Sequence, residues 1–543
     1  MANIKRANAS GITKTGTAIS DVPDAPTIGT VSFTGTTTAS IPFTAAATGG
    51  SPTSYVVAAT PTVNDLSTNA GTSSPRTATG TFVASTAYTF TIRGVNSTAT
   101  GPVSAASNSV TAISNNFFAN VAGSNTDDQG FGVAIDSSGN VYIANYSNGA
   151  RLTKFDNTGT LQWQRTYEQM PNNYYNNMAV GVDSSNNPYL SYQFSSGGNY
   201  HYQVIKWNSS GTLQWRSDAV NVGGRVGDIA DLKFDSSGNI YISAGHDSLA
   251  GGYDGWIAKF NSSGVLQSQY RLNANNDVII GFTVHQSNGN MYAVGQTNGM
   301  NSDYNGFVFK LNSSFSKVWA RQLQGTSGNT MRMYAVVTDS SENVYAAGHG
   351  GVSGTNHMII AKWNSSGTIQ WQRKIAAPSA SIIANGIDVD SSGNVYVCGW
   401  TDGISALGTT GGIDGLLVKY DSSGNLQWQR KIYSATGGVN ESLNGIVIDN
   451  STSSIYGTGY ADGGAGTSIV FRVPTDGSLT GTYSLTNMAL NSITYAASTM
   501  TESANNMTES AETSLAISTT SFATATISSA SNTTSPTAYK VNL

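Results

Sequence analysis

The stretch Asp390–Trp400, DSSGNVYVCGW, joins a polar turn to an apolar run and sets the pattern for most of the chain. Its oxygen-bearing side chains suit either a calcium loop or a turn that leads into a strand. A calcium loop of the EF-hand type needs oxygen ligands at alternate positions and a glutamate at the twelfth, whereas here the third residue is Ser392 and the twelfth is Thr401. The sequence therefore predicts a turn, in which the Asp390 carboxylate accepts backbone N–H groups and Gly393 supplies a positive φ.

The same turn recurs at intervals of 47, 52, 51, 53, 51 and 59 residues. Its first position is held by Asp136, Asp183, Asp235, Gln286, Asp339, Asp390 and Asp449. A short apolar run with a tyrosine follows each turn, and a second motif such as LQWQR (161–165) or IQWQR (369–373) comes at a matching offset. Each unit predicts four strands, for example NGIDVD, NVYVCGWT, DGLLVKYD and LQWQRKI. Seven four-stranded units predict an all-β chain with a seven-bladed β-propeller over 116–485.

Two segments align with the fourth strand of the last repeat, NNFFANVAG (115–123) and LTGTYSL (479–485). If 117–122 completes the last blade, the two ends of the ring are latched by strand exchange and no sheet edge stays open. We expect this latch.

Residues 22–113 differ from the repeat and read as successive short strands. The segment TAYTFTIRGVNSTATGPVSAASNSVTA (86–112) resembles the closing part of a fibronectin type III domain. The resemblance implies a β-sandwich in which Tyr88 occupies the tyrosine-corner position and Phe90, Ile92 and Val95 face the core. Phe43 stands about where that family usually has a core Trp.

The two tails are polar and carry little that could build a core. Residues 1–21 are too short to fold alone, so we expect a docking arm. Residues 486–543 are rich in Ser and Thr and contain MTESANNMTESA (500–511), a seven-residue repeat. A helix would place Met500, Ala504, Met507 and Ala511 on one side, whereas LAIS and FATATIS alternate like strands. We expect both tails to be ordered by partner chains or by the chain's own propeller, and we describe 486–543 as a partner-ordered tail.

Composition excludes several classes of partner. The net charge is -5 and only 10% of residues are charged, so no basic patch indicates nucleic acid, and no apolar run is long enough for membrane insertion. The start of the sequence lacks the apolar segment of a secretion signal. The single Cys398 indicates a buried thiol in a protein made in a reducing compartment.

Motifs for catalysis, cofactors or metals are lacking in the sequence. The five histidines are scattered and form no zinc-ligand pattern. Several carboxylates could converge on one face as the pair that a glycosidase needs: Asp127, Asp128, Asp228, Asp231, Asp254, Asp303 and Asp414. Two of them, Asp254 and Asp414, belong to a recurring DG pair that starts the third strand. We therefore predict no catalytic, cofactor or metal site and no enzyme.

Loop aromatics beside amide side chains suit sugar stacking. The candidate glycan-contacting residues are Tyr174, Tyr175, Tyr200, Tyr202, Tyr253 and Trp256. Each of them is equally suited to cover the core at a strand end.

The opening MANIKRANASGITKTGTAISDVPDAPTIGTVS, followed by a fibronectin-like module and propeller repeats, resembles structural proteins of tailed phages of marine bacteria. The resemblance implies a virion component, such as a tail fibre, spike or capsid appendage, made in the host cytoplasm. We expect its partners to be other virion proteins, further copies of the chain and a host surface glycan. The alternatives are a bacterial carbohydrate-binding or adhesive protein at the cell surface or outside the cell, and a glycan-cleaving propeller enzyme.

Overall fold

The computed structural model describes residues 22–542 with interruptions, and from residue 484 onward it describes only strands and their pairing. The interruptions are 35–36, 84–85, 98, 113–115, 122–127, 147–148, 168–177, 197–198, 222–225, 248–252, 273–277, 299–303, 325–329, 353–354, 377–379, 403–411, 435–439, 463–465, 480, 484–492, 498–500, 505–507, 512–516, 520–522 and 528–537. Every regular element in the described residues is a β-strand, which confirms the all-β prediction. The chain divides into two compact units, Met1–Asn115 and Asn116–Leu543.

The N-terminal unit contains three antiparallel sheets in its described part. Its strands are β1 (Thr27–Ile28), β2 (Ser32–Phe33), β3 (Thr38–Ile41), β4 (Phe43–Thr44), β5 (Ser54–Thr60), β6 (Ser67–Thr68), β7 (Arg76–Thr79), β8 (Ala87–Val95) and β9 (Val110–Thr111). The sheet orders are β1-β4, β2-β3-β7-β6 and β5-β8-β9. Alternate residues of β5 and β8 are buried, so each of these strands turns one face to a common core.

The residues singled out in this unit lie in or beside that core. The Tyr88 hydroxyl accepts a hydrogen bond from the Val83 N–H at 2.9 Å, which is the bond expected at a tyrosine corner. Phe90 and Ile92 are fully buried, and Val95 is half-buried. Phe43 contacts Tyr55 with ring centroids 4.3 Å apart, so a phenyl ring fills this part of the core.

The C-terminal unit is built from seven sheets in its described part, numbered here along the chain. β10 (Phe117–Val121) precedes them in sequence. Sheet 1 contains β11 (Gln129–Ile135), β12 (Val141–Tyr146), β13 (Ala150–Phe155) and β14 (Leu161–Tyr167). Sheet 2 contains β15 (Ala179–Val182), β16 (Pro188–Ser196), β17 (Asn199–Trp207) and β18 (Leu213–Asn221). Sheet 3 contains β19 (Val226–Phe234), β20 (Ile240–Asp247), β21 (Tyr253–Phe260) and β22 (Leu266–Leu272).

The remaining sheets repeat this order. Sheet 4 contains β23 (Val278–Val284), β24 (Met291–Asn298), β25 (Tyr304–Leu311) and β26 (Lys317–Gln324). Sheet 5 contains β27 (Met331–Thr338), β28 (Val344–Val352), β29 (Thr355–Trp363) and β30 (Ile369–Ala376). Sheet 6 contains β31 (Ile382–Val389), β32 (Val395–Asp402), β33 (Ile413–Tyr420) and β34 (Leu426–Ser434). Sheet 7 contains β35 (Asn440–Asp449), β36 (Ser454–Asp462), β37 (Gly466–Pro474) and β10.

Each sheet is an antiparallel meander whose first strand lies against the first strand of the next sheet. β35 of sheet 7 also contacts β11 of sheet 1, so the seven first strands close a ring. The apolar clusters lie between neighbouring sheets; one of them, for example, joins Tyr189 and Tyr202 of sheet 2 to Ile242 and Trp256 of sheet 3. Cys398 is buried in β32, as predicted.

The ring is closed by strand exchange between the two ends of the repeat region. β10 pairs with β37, with Phe117 opposite Arg472 and Val121 opposite Ser468. This confirms the expected latch. The competing segment forms β38 (Gly481–Tyr483), which belongs to sheet 6 instead.

The tail adds an outer strand to six of the seven sheets. Its strands are β38, β39 (Ile493–Ala497), β40 (Thr501–Ala504), β41 (Thr508–Ala511), β42 (Ile517–Thr519), β43 (Ala523–Ile527) and β44 (Ala538–Asn542). In chain order β39 to β43 pair with the outer strands of sheets 6, 5, 4, 3 and 2, and β44 pairs with β10 of sheet 7. Among the described residues, only the outer strand of sheet 1, β14, has no fifth strand beside it.

The register of the tail explains its seven-residue repeat. The tail residues that lie opposite equivalent positions of sheets 6, 5, 4, 3 and 2 are Ala497, Ala504, Ala511, Thr519 and Thr526. Their spacing is 7, 7, 8 and 7 residues. At the equivalent position of sheet 7 the partner is Lys540, 14 residues after Thr526, and sheets 2 and 7 are two steps apart in the ring.

The repeat is therefore the distance from one sheet to the next, and both TESA segments are strands rather than parts of a helix. Of the two ways in which the tail was expected to be ordered, these strands use the chain's own sheets. Order contributed by partner chains to 486–543 stays a prediction.

Neighbouring sheets are joined by a recurring contact between the outer strand of one sheet and the turn after the third strand of the next. We call this contact a seam. In the seam between sheets 5 and 6, the Trp371 Nε1–H donates to the Ser422 carbonyl at 3.2 Å, and the Arg373 guanidinium donates to the Gly424 carbonyl. A Cβ at Gly424 would lie 2.7 Å from the Trp371 ring, and φ there is +78°. Glycine is thus required at this position for two reasons: the backbone has a positive φ, and a side chain would clash with the indole that covers the turn. The same tryptophan, arginine and glycine contacts recur in the seams from sheet 1 to 2, 4 to 5 and 6 to 7.

Candidate functional site

The recurring polar turn is structural. The Asp390 Oδ1 accepts the N–H groups of Ser392 and Asn394, both at 2.9 Å, and Oδ2 accepts the Asn394 side-chain amide and the Tyr396 hydroxyl. Gly393 has φ +78°. Both oxygens of this carboxylate are used within the turn and the strand that follows, which confirms the turn.

Sheet 4 departs from this turn. Its first position is taken by His285 and not by Gln286 as predicted. The His285 N–H donates to the carbonyl of Asn290, five residues on, whereas the Asp390 N–H donates to the carbonyl of Asn394, four residues on. The turn of sheet 4 is therefore one residue longer than that of sheet 6. This turn, His285–Asn290, contains no carboxylate for the Tyr292 hydroxyl. Glu342 of sheet 5 accepts that hydroxyl at 2.6 Å and also accepts bonds from Asn290 and Lys310.

A cavity of about 540 Å³ lies at the centre of the ring and is lined by residues from all seven first strands. Six of these strands carry a β-bulge near their middle, where the pairing skips one residue. Bulges commonly redirect a side chain beside a functional site. Five of the skipped residues line the cavity: Phe131, Ile280, Tyr334, Asn385 and Asn444. Met178 of sheet 2 lines it at the corresponding position, five residues before the turn aspartate.

The residue after the bulge, or at the corresponding position of sheet 2, which has no bulge, is small in six of the seven sheets. Those residues are Gly132, Ala179, Gly281, Ala335, Gly386 and Gly445. At Gly281, a Cβ would lie 2.4 Å from the Tyr334 carbonyl oxygen of the next first strand, so close approach of the strands requires the glycine. Sheet 3 is the exception, because Asp231 holds this position and lines the cavity.

The two asparagines connect consecutive sheets. The Asn385 amide donates to the Leu443 carbonyl at 2.9 Å, and the Asn444 amide donates to the Gly130 carbonyl at 2.8 Å. Sheets 6, 7 and 1 are therefore fastened to one another at the bulges, in the part of the ring where the chain ends meet. The Asn444 side-chain oxygen accepts bonds from the Ser442 hydroxyl at 3.1 Å and from the Asn385 amide at 3.3 Å, so these polar groups form one network.

The charged part of the cavity is one ion pair. Lys233 Nζ lies 2.8 Å from Asp231 Oδ1, and both residues line the cavity. Burial lowers the pKa of Lys233, but the Asp231 carboxylate outweighs burial and raises it, so the lysine is charged.

Asp388 lies near this pair without lining the cavity. Its carboxylate accepts the N–H groups of Val389 and Ile448, at 2.9 and 2.7 Å, and so joins sheet 6 to sheet 7. Burial raises the pKa of Asp388 to about 6, although these hydrogen bonds and the Lys233 charge oppose the shift.

Aromatic side chains complete the lining. Trp400, Tyr334 and Tyr460 line the cavity and are half-buried. Gln129 and Ser442 add an amide and a hydroxyl. The cavity thus combines flat apolar surfaces with groups that donate and accept hydrogen bonds, which is the usual make-up of a small-molecule site.

Two of the predicted glycan-contacting residues, Tyr202 and Trp256, have described side chains, and neither lines this cavity. Tyr202 and Trp256 are fully buried and stack on each other with centroids 4.7 Å apart. The Tyr202 hydroxyl donates to the Gly245 carbonyl, and the Trp256 Nε1–H donates to the Gln269 side chain. Their rings belong to the core and offer no face to a sugar.

The other predicted aromatics give no comparable geometry. Tyr200 and Tyr253 lie in β17 and β21, and their side chains are outside the described residues. Tyr174 and Tyr175 fall in 168–177, which lies outside the described residues as a whole. The prediction for these four stays a prediction.

The candidate carboxylates are dispersed or paired where they are described. Asp414 forms an ion pair with Lys431, and burial raises the pKa of Asp414 against the effect of that lysine. Asp128 is buried beside Arg151. Asp127, Asp303 and the side chains of Asp228 and Asp254 lie outside the described residues.

Within the described ranges, no three His, Cys, Asp or Glu side chains gather in a group that could hold a metal ion. Likewise, no helix in the described part of the chain is long and apolar enough to cross a membrane.

Comparison with known proteins supports the repeat. A family model of the beta-propeller repeat matches residues 117–152 and 370–404. The chain therefore carries β-propeller repeats in an all-β fold of repeated four-stranded sheets. No curated protein matches the sequence.

Solved structures with similar folds are distant. A protein of unknown function from Bacteroides caccae is 12% identical, with a TM-score of 0.30 over 58% of this chain and 93% of that one. A PL25 ulvan lyase is 10% identical, with a TM-score of 0.42 over 65% of this chain and 96% of that one. The polysaccharide lyase Uly1 is 10% identical, with a TM-score of 0.35 over 64% and 90%. At such scores these likenesses carry no argument about activity.

Proposed function

We propose that this chain is a non-enzymatic structural protein of a phage virion, a tail fibre, spike or capsid appendage, that displays a seven-bladed β-propeller for host-surface recognition. The seven sheets are its blades, since their first strands form a closed ring and β10 completes the last one. The N-terminal unit is a fibronectin type III-like sandwich, an assignment supported by the Tyr88 corner and the buried Phe90 and Ile92.

The observation that carries this proposal is the cover that the tail gives to the outer edges. An exposed outer strand is a template for pairing with other chains. Here β39 to β44 cover six of the seven sheets with strands of the same chain. Such a chain can be packed at high local concentration on a particle and remain outside a cell without edge-to-edge aggregation. The resemblance of the N-terminal stretch to virion proteins of marine phages supports the same role.

The partners of three described carboxylates, of which Asp231 lines the cavity, support a non-enzymatic role. A glycosidase needs one carboxyl group free to donate a proton and another free to attack or to activate water. Asp231 is paired with Lys233, Asp414 is paired with Lys431, and Asp388 is held by two backbone N–H groups. Each of these carboxylates is thus committed to a structural partner.

A direct test is mass spectrometry and cryo-EM of particles purified from a lysate of the source culture. We expect the chain in stoichiometric amounts, at one symmetric location, with the propeller outward. Its absence from particles, together with its presence on uninfected cells, would overturn the virion role. That outcome would favour the second candidate, a bacterial carbohydrate-binding or adhesive protein, which the mixed lining of the central cavity supports.

A further inference from the structure

We propose that the central cavity is a binding site for a neutral sugar residue, one or two units at the end of a glycan. This inference deepens the recognition role proposed above by naming the site and the ligand class. It concerns none of the loop tyrosines considered in the sequence.

The ion pair selects against charged ligands. An anion entering the cavity meets Asp231, and a cation meets Lys233, which lies 2.8 Å from that carboxylate. A hydroxyl group can bind both members of the pair, since it can donate a hydrogen bond to the Asp231 carboxylate and accept one from the Lys233 ammonium group. Two neighbouring hydroxyl groups of a sugar ring fit such a pair, and hydrogen bonds to charged groups are the stronger ones.

The bulge residues supply the opposite kind of surface. Phe131, Met178, Ile280 and Tyr334 line the cavity at the level of the bulges, next to the two asparagines of sheets 6 and 7. A sugar ring has C–H groups on its faces and hydroxyl groups around its edge, so it needs apolar contact and hydrogen bonds side by side. The lining provides both within one layer of the ring.

The size and rigidity of the site agree with this ligand. A volume of about 540 Å³ lies within the range of small-molecule sites and has room for one or two sugar units. The Asn385 and Asn444 amides hold the bulges in place through their bonds to neighbouring sheets. Little ordering is then required on binding, which reduces the entropic cost.

The test is binding of free sugars to the full chain, measured by saturation-transfer NMR and calorimetry. The probes are neutral hexoses and their disaccharides, with glucuronic acid and glucosamine as charged analogues of the same ring. The variants are Lys233→Met, the uncharged pair Asp231→Asn with Lys233→Met, and Tyr334→Ala. The matched control is Lys206→Met, since Lys206 forms a similar ion pair with Asp183 at 3.1 Å and does not line the cavity. Thermal unfolding checks that each variant folds.

We expect saturable binding of at least one neutral sugar, weaker binding of both charged analogues, and a loss of about tenfold or more in each cavity variant. The Lys206→Met variant should bind like the wild type. The inference is overturned if no neutral sugar saturates the site, if a charged analogue binds best, or if Lys206→Met loses as much affinity as Lys233→Met. A chain that is found in virions but binds no sugar removes this inference alone, and a chain that binds sugars but is absent from virions removes only the virion role.

Discussion

Two seams of the same ring solve one packing problem in opposite ways. Between sheets 5 and 6, the outer strand supplies the aromatic ring, Trp371, and the turn supplies Gly424 beneath it. Between sheets 3 and 4, the outer strand has Ser268 at the tryptophan position, and the turn has Phe315 at the glycine position. Phe315 is buried and stacks on Tyr270 with centroids 3.7 Å apart. In both seams a large ring fills the space between the outer strand and the turn. The outer strand contributes this ring in one seam, and the turn contributes it in the other.

Sheet 4 shows a second exchange on its other side. Regular sheets satisfy the strand tyrosine with their own turn aspartate, as Tyr396 and Asp390 do. Sheet 4 has His285 at that position, and the carboxylate comes from Glu342 of sheet 5. Glu342 stands where Gly393 stands in the next turn and has φ +62°. The chain thus tolerates an irregular sheet because each missing group is replaced from the adjacent one.

The largest expected effect is the loss of a ring from a regular seam. Trp371→Ala removes the indole that covers Gly424 and the bond from Nε1 to the Ser422 carbonyl. We expect a loss of about 3 kcal/mol in the free energy of unfolding, in the range of large-to-small substitutions in cores. Urea unfolding measures it. Ser268→Ala changes the equivalent position of the irregular seam and should cost less than about 0.5 kcal/mol. Equal losses of unfolding free energy at the two positions would contradict the interpretation that Phe315 replaces the tryptophan in the seam between sheets 3 and 4.

The next effect tests whether the two arrangements can be interchanged. Phe315→Gly removes from the seam between sheets 3 and 4 the ring that stacks on Tyr270, and we expect a loss of about 2 kcal/mol in the free energy of unfolding. Ser268→Trp alone adds a second ring to an occupied space and should also destabilise. The double variant restores the regular pattern, so its loss should be at least about 1 kcal/mol smaller than the sum of the two single losses. Additive losses in this double-mutant cycle would contradict the exchange.

A pH dependence distinguishes the cross-sheet carboxylate. Burial raises the pKa of Glu342, but hydrogen bonds from Tyr292, Asn290 and Lys310 outweigh burial and lower it from 4.5 to about 2. A carboxyl group with a depressed pKa in the folded state stabilises fully above its unfolded pKa, and this contribution is lost as pH falls through the folded value. We expect wild-type stability to drop between pH 4.5 and 2 partly for this reason.

Glu342→Gln is the matching variant. It should cost about 2 kcal/mol at pH 7, because it removes the charge that Lys310 and Tyr292 contact. The difference from wild type should shrink as the pH approaches 2, when Glu342 is itself protonated. Parallel curves of unfolding free energy against pH for the two proteins would rule out the assigned role of Glu342.

Local side-chain chemistry made the repeat predictable. The turn at Asp390 is specified within five residues, so its seven copies gave the unit, its four strands and the latch by β10. The tail was not predictable in the same way. Its strands pair through the backbone with sheet edges that lie far away in sequence, so the seven-residue spacing of the TESA segments has a meaning only once the ring exists.

The candidate site was missed for a related reason. A bulge is visible only in the register of two strands, and Phe131 or Asn385 looks like any other residue of a first strand. One signal was present in the sequence, namely a small residue four positions before the turn aspartate, with Asp231 as its exception. Tyr202 and Trp256 misled because aromatic and amide residues suit a loop surface and a buried strand equally well.

The smallest expected effect concerns the edge that the last strand covers. β10 lies between β37 and β44, whereas β14 of sheet 1 has no outer partner among the described residues. Deletion of 538–543 removes β44, so β10 becomes an outer strand without a further pairing partner, as β14 is among the described residues. We expect the unfolding free energy to fall by only about 1 kcal/mol, since β37 still holds β10 and each backbone hydrogen bond contributes little net.

Hydrogen exchange is the sharper measurement for this deletion. The β10 amides that face β44 should exchange at least about tenfold faster, those that face β37 should keep their protection, and the β14 amides should not change. Because an uncovered edge invites pairing between chains, the truncated protein should also aggregate more readily at high concentration. Unchanged exchange in β10 would mean that β44 does not hold this edge in solution, and the cover by the tail would then no longer support a place on a crowded particle.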